Sequence, residues 1–367
     1  MADYLSDVPS NMDLYTNAAP AFTTWIVERG DLETPFVLVD VGVQGGEHPR
    51  WRALGDALIV HGFDALPSAI EELKSRCPDD ARRQYHWTAV SDVDGRRDFF
   101  VSSDPYSSSF LPSTTDGRTT QAMPVDVRRL DTLLDEGVVP PADFLKTDVE
   151  GGERQVLDGA PRLLAGLLGF ETETSLNRSP IYPDGHFPTL ARLVQGHGLL
   201  PIDLNFNRVV RERFQQALER KGASRIRRDD WLGGPATFNV LFCRDVVQER
   251  DHPEYYPGGP AALSVDRLIK LMMIHELYGL NDVAVDIAET HRSMLHMRID
   301  VDGAIDRLTQ PDARGRPWVV VAHELAGQLA ESRQDADRLR ERVAELLGRL
   351  AALESEAATA REAARPE

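Results

Sequence analysis

The chain has 367 residues, 42% of them hydrophobic and 27% charged, which provides for a packed core and excludes wholesale disorder. Its formal net charge is −18 and no run of Lys or Arg stands out, so a phosphate backbone is repelled and nucleic acid is not the expected partner. Two cysteines, Cys77 and Cys243, are too far apart for a disulfide framework or a zinc motif and read as buried free thiols.

Residues 1–35 read as a helical lead-in. The opening MADYLSDVPS has neither a basic nor an apolar leader region, and the longest apolar stretch, Leu163 to Phe170, is too short for a bilayer. The expectation is a cytoplasmic protein with no membrane span. FVLVDV, from Phe36, reads as a buried strand, and ALIVHGFDA (57–65) as a second, followed by a helix over SAIEELKSR. YHWTAVSD reads as a third strand, and DGRRDFFVSS as a turn and an extended segment. DFLKTDVEGGE supplies a fourth strand, RQVLDGAPRLL a helix, LLGFETETS a fifth strand and FPTLARLVQGHG a further helix. LLPIDLN and TFNVLFCRD close the region as a pair that can set one antiparallel strand into the sheet. Alternating strands and helices predict a doubly wound, mostly parallel α/β (Rossmann-like) sheet over 36–250.

Residues 251–317 read as a linker and a helical segment. Ser264 is placed to cap a helix carrying Val265, Leu268, Ile269, Met272 and Met273 at helical spacing. Over 318–365, apolar residues recur at steps of three and four, with Val343 at an a position and Leu346 and Leu353 at d. In a parallel dimer Asp335 faces Arg340 of the second copy and Arg349 faces Glu354. The reading is a C-terminal coiled coil that makes a homo-oligomer or docks the protein on a partner; a long helix folded back on the body is the alternative.

In such a sheet the ligand sits beyond the carboxyl ends of the strands. The first turn carries Gly42, Gly45 and Gly46, which do not match the G-x-G-x-x-G of a dinucleotide site, and Asp40 disfavours a pyrophosphate. A carboxylate there suits a ligand with an ammonium and a sulfonium, namely S-adenosyl-L-methionine, with the glycines admitting the backbone closely. Asp64, ending the second strand, is placed for the ribose hydroxyls, with Ala65 and Leu66 against the adenine and Ser91 and Asp92 near its amino group. Asp64 as a helix cap and Asp92 as a turn residue are the structural alternatives.

The order VDVGVQGG, GFDALP, AVSD, DGRRDFFVSS, SSSFLPS, VDVRRLDTLL and DFLKTDVEGGERQVLDGA resembles the FkbM family of S-adenosylmethionine-dependent methyltransferases over roughly residues 30–245. The resemblance implies a seven-stranded methyltransferase sheet and methyl transfer, usually to an oxygen of a glycan sugar or of a natural product. Gln44 stands where the family often has Asn, and Asp64 where it often has Glu.

For such a transfer Asp148 is the first candidate for base or acceptor orienter, and Glu150 the second. Glu173 on the fifth strand joins them, beside Glu171, and Asp148, Glu150 and Glu173 can hold Mg²⁺ or bind acceptor hydroxyls directly. Glu153 reads as an acid in a first helical turn, and Lys146 as a partner of Asp148. The loop 175–188, with His186 as an alternative base, and the serine run SSSFLPS are candidate acceptor loops; His197 reads as a helix C-terminal residue. A nicotinamide oxidoreductase and a non-catalytic scaffold are the competing functions.

Overall fold

A computed structural model describes residues 20–78, 80–103, 105–112, 120–221, 234–255 and 263–310. The N-terminal part of the lead-in, the break at 312–318 and the coiled coil of 318–365 lie outside them.

FVLVDV forms β1 (Phe36–Val41), buried at every position, as a strand covered on both faces must be. Phe36 and Leu38 enter one core while Val37, Val39 and Val41 enter the other, which is the two-residue alternation of a strand between two helical layers. β2 (Leu58–Asp64) and β3 (Arg83–Trp87) lie beside it in parallel; β7 (Phe144–Thr147) and β8 (Gly169–Thr174) lie on its other side. β10 (Gly234–Cys243) runs antiparallel between β8 and β9 (Leu200–Val209). The seven-stranded order is therefore β3-β2-β1-β7-β8-β10-β9, with one antiparallel strand, as expected. The chain first winds outward from β1 and then returns to β7, so the strand order reverses between β1 and β7. β9 and β10 pair, but through a long connection bearing α7 (Glu212–Glu219), not a tight turn.

One layer contains α3 (Leu130–Asp135), α4 (Glu153–Asp158), α5 (Pro161–Gly166) and α6 (Phe187–Gln195), whose apolar residues share a core with Val39, Leu145 and Phe170. The single helix expected over RQVLDGAPRLL is in fact two. Pro161 starts α5 at its first turn, and a Cβ on Gly159 would meet the Ser91 carbonyl oxygen at 2.1 Å, so the break lies where the chain passes under its neighbour.

The opposite layer holds α1 (Ala21–Arg29), the 3₁₀ segment Pro49–Ala57, α2 (Pro67–Arg76), α8 (Val246–Asp251), α9 (Val265–Leu277), α10 (Asn281–Thr290), α11 (Arg292–Leu295) and α12 (Val301–Thr309). Ser264 caps α9, accepting from Arg267 N at 3.3 Å. The stripe on α9 enters the core, but Leu271, Ile274 and Leu277 are equally buried, so the helix is enclosed all round. Its charged residues are paired accordingly. Lys270 Nζ donates to Thr34 Oγ1 and the Pro35 carbonyl at 2.8 Å and to Asp143 Oδ2 at 3.0 Å, fixing the entry to β1. Glu276 accepts from the free N–H groups of Phe22 (2.8 Å) and Thr23 (2.6 Å), so an acid 253 residues away caps α1.

A second, three-stranded sheet stands beside the first: β4 (Ala89–Val90), β6 (Thr120–Arg128) and β5 (Gly95–Ser102), in that order. The third strand read from YHWTAVSD ends at Trp87, and Ala89–Val90 cross into this smaller sheet. Cys243 is buried, but Cys77 is half-buried.

Candidate functional site

Where strand order reverses, the carboxyl ends of β1 and β7 converge. Asp148 N donates to the Val41 carbonyl at 2.9 Å and Gly42 N to the Phe63 carbonyl at 2.9 Å. A cleft opens above them, with ≈ 830 Å³ of empty space that includes open solvent. Its floor and walls come from Gly42 and Gln44 after β1, from Asp64 at the end of β2 with Ala65 and Leu66 beyond it, and from Lys146 in β7 with Asp148 and Glu150 beyond it. The small sheet closes it with Ala89, Val90 and Phe99, and the segment that follows adds Tyr106, Ser108 and Phe110.

Gly42, Asp64, Ala65, Leu66, Asp148 and Glu150 are thus brought to one cleft. Asp64 Oδ1 accepts from Leu66 N at 2.8 Å, which makes it the brace of the β2–α2 turn as well as a wall of the cleft. Burial raises its pKa, against the pull of that turn's N–H groups. Ala65 is held by Trp87, whose Nε1 donates to its carbonyl at 3.1 Å.

Other expected contacts lie elsewhere. Asp40 does not line the cleft; it is buried beneath it, directly across from Lys146 in the β1–β7 register, with Nζ 3.3 Å from Oδ1. Burial raises its pKa to about 6 against the opposing Lys146 charge. The alternation that sends Phe36 and Leu38 to one core sends Asp40 the same way. Lys146 Nζ also donates to the Gly42 carbonyl (3.1 Å) and lies 3.6 Å from Asp148 Oδ2, the expected pairing.

Gly42, at φ 81°, answers to the strand beside it: a Cβ there would meet the Asp148 carbonyl oxygen at 1.9 Å. Gly45 and Gly46 shape the turn without lining the cleft, and Arg76 Nη1 donates to the Gly45 carbonyl at 3.1 Å. Ser91 and Asp92 are also absent from the lining. Ser91 Oγ donates to Asp92 Oδ1 at 2.9 Å and accepts from Arg97 at 3.1 Å, and Thr88, Ala89 and Val90 take the place expected of them. They are displaced because the chain leaves the main sheet after Trp87.

The acids of the fourth and fifth strands do assemble. Asp148, Glu150 and Glu173 offer carboxylate oxygens within 4.8 Å of one another, and all three are half-buried. Glu173 is fixed by two hydroxyl donors, Tyr182 OH and Thr237 Oγ1, each at 2.7 Å. Glu171 instead accepts from Tyr278 OH (2.6 Å) in the core. Glu153 is fully buried: Oε1 accepts from Val149 N (3.1 Å) and Gly151 N (3.2 Å), and Oε2 has no hydrogen-bond donor among the described residues. Burial lifts its pKa to about 8, so it is a neutral brace of the turn at neutral pH. His186 precedes α6 with its ring against Thr189 Oγ1 (3.2 Å). His197 follows the C-terminal end of α6, where Arg244 joins its carbonyl (3.3 Å).

A model described as "Methyltransferase FkbM domain" matches residues 40–168, which contain both the glycine turn and the acid turn. No curated protein matches the chain. Among solved structures, similarity extends to a Burkholderia thailandensis 1,6-didemethyltoxoflavin-N1-methyltransferase with S-adenosylhomocysteine bound, at 15% identity, TM-score 0.28, 66% of this chain and 86% of that one. It also extends to a TehB-like SAM-dependent methyltransferase from Corynebacterium glutamicum, at 12% identity and TM-score 0.27, over 61% and 87% of the two chains. An rRNA methylase from Streptococcus thermophilus gives 12% identity and TM-score 0.30, over 62% and 93%.

Proposed function

Because the chain carries a methyltransferase FkbM domain over residues 40–168, we propose that it is an S-adenosyl-L-methionine-dependent O-methyltransferase acting on a hydroxyl of a saccharide, such as a cell-surface glycan, or of a secondary metabolite. The observation that carries this is the meeting, in one cleft at the strand-order reversal, of Asp64 after β2 with Asp148 and Glu150 after β7. When bound, the cofactor supplies an electrophilic methyl on a sulfonium. The chain does the rest. Asp64 accepts ribose hydroxyls, Ala65, Leu66, Ala89 and Val90 give apolar walls to the base, and Gln44 reaches the amino-acid end. Asp40, buried beneath the cleft, holds Lys146, which lines the cleft and orients Asp148.

Asp148 takes or steers the acceptor hydroxyl's proton, a role worth about 10²–10⁴-fold in rate. Glu150 and Glu173 orient neighbouring hydroxyls. The closeness of the three carboxylates supports a second use, a hard cation such as Mg²⁺ that lowers the hydroxyl's pKa. The 318–365 tail, as a coiled coil, sets a dimer or docks the enzyme on a partner.

The test is transfer of label from methyl-labelled cofactor to a panel of saccharides, hydroxylated natural products and, as controls, amines. Labelled hydroxyl products that fall by at least 10²-fold in Asp148→Asn support the reading. Label on amines alone would move the activity to nitrogen. No transfer, with no cofactor binding, would favour the scaffold.

A further inference from the structure

The segment Tyr106–Leu111 contacts two parts of the site with alternate residues. Tyr106, Ser108 and Phe110 line the cofactor cleft; Ser109 and Leu111 face the turn that carries Glu150. Tyr106 sits in the 3₁₀ turn Pro105–Ser107 and Ser109 bridges to Phe100, so the two sets leave a short irregular strap on different sides. The cleft-facing set is firmly placed. Phe110 packs edge-on to Phe99 with ring centres 5.3 Å apart, under the Arg97 guanidinium at 4.7 Å. Tyr106 reaches towards the first glycine turn, its hydroxyl 3.9 Å from where a Cβ on Gly45 would stand.

The other set grips the acid turn. Ser109 Oγ donates to the Glu150 carbonyl at 2.7 Å and accepts from Leu111 N at 3.1 Å. Its backbone is pinned to β5 by reciprocal hydrogen bonds with Phe100, at 2.8 and 3.1 Å. Glu150 is held at φ 54°, the one non-glycine residue with positive φ among those described, a conformation disfavoured for any side chain with a Cβ. The next residue is as tightly enclosed: a Cβ on Gly151 would meet the Ile181 carbonyl oxygen at 2.0 Å and Leu111 Cδ1 at 2.9 Å.

We propose that Ser109 is a positioning residue, holding the Glu150 turn in its left-handed conformation and tying it, through Tyr106, Ser108 and Phe110, to the occupant of the cofactor cleft. The inference rests on the methyltransferase reading for the identity of that occupant. A ligand that settles against one face of the strap steadies the other, so the cofactor sets Glu150 for the acceptor, and cofactor binds before acceptor.

Hydrogen–deuterium exchange on the full-length protein, with and without S-adenosylhomocysteine, tests this. In wild type, saturating ligand slows exchange at both 106–111 and 148–152. In Ser109→Ala, the Val149 and Gly151 amides, which Glu153 holds, exchange roughly tenfold faster without ligand, as expected for one lost hydrogen bond. Ligand still binds with affinity within about threefold, since Ser109 does not line the cleft, and still protects 106–108 and 148–150, which touch it, but protection at 151–152 is largely lost. A merely structural role would loosen both segments alike. Equal protection at 151–152 in variant and wild type would overturn the coupling, as would a wild-type protein whose turn ignores bound ligand; the wild-type comparison needs no variant to fold. Failure of the wild type to bind the ligand counts against the methyltransferase reading instead. The clamp is then judged on ligand-free exchange, and an unchanged rate in Ser109→Ala would overturn it.

Discussion

Gly42→Ala separates two demands that a glycine can answer. At φ 81° an alanine is strained, by about 1–2 kcal/mol. Beyond that, its methyl would stand 1.9 Å from the Asp148 carbonyl oxygen, a backbone atom held by the β1–β7 pairing. Relief requires the carboxyl ends of β1 and β7 to part, which loosens the Asp148 N to Val41 carbonyl bond. Adding that bond and the repacking, a total loss of roughly 3–5 kcal/mol is expected. Gly137→Ala is the control: φ is 72°, but no heavy atom lies within 4 Å of the new methyl, so only the strain of about 1–2 kcal/mol remains. Urea unfolding of both variants measures the difference, and thermal unfolding should separate them by roughly 3–5 °C. Equal losses would refute the view that Gly42 is required by the neighbouring strand.

Three further outcomes follow from the geometry. Glu153 holds its proton more tightly folded (pKa about 8) than unfolded (4.5), so its contribution to stability falls as pH rises across that window. Glu153→Gln removes that dependence, and the variant's stability relative to wild type rises between pH 4.5 and 8 by up to a few kcal/mol; a flat difference in pH-dependent urea melts would contradict it. Glu276→Ala uncaps α1 and costs about 1–3 kcal/mol, with exchange accelerated first at the Phe22 and Thr23 amides; unchanged amides there would oppose the capping account. Deleting the chain after Pro317 leaves α9 and the sheet intact but reduces the solution mass to that of a monomer, if the tail sets the oligomer; an unchanged mass relative to subunit size would sink that role.

The main sheet was legible because its strands are dense apolar runs bounded by glycine turns, and Ser264 marked α9 by local capping chemistry alone. The acid group was legible too, since Asp148 and Glu150 lie at one strand end and Glu173 at the next. The small sheet was not. β6, TQAMPVDVR, buries only Val125 and Val127 and carries Pro124, tolerated because β4 reaches only Val127 and Arg128. No apolar run marks the small sheet, and Ser91 and Asp92 follow it off the cleft lining after Trp87. Asp40 suits the ligand by its charge, but the strand alternation turns its side chain toward Lys146 and off the cleft lining. Glu276 on α1, and Ser109 on Glu150, bind partners distant in sequence, which no local pattern announces.

The central claim is that this cleft holds the S-adenosyl group, with Asp64 on the ribose. Calorimetric titration of the full-length protein with S-adenosylhomocysteine tests it most directly. Micromolar binding that weakens at least tenfold in Asp64→Asn, with the fold preserved, is expected. Absence of binding, or binding indifferent to Asp64, would contradict it.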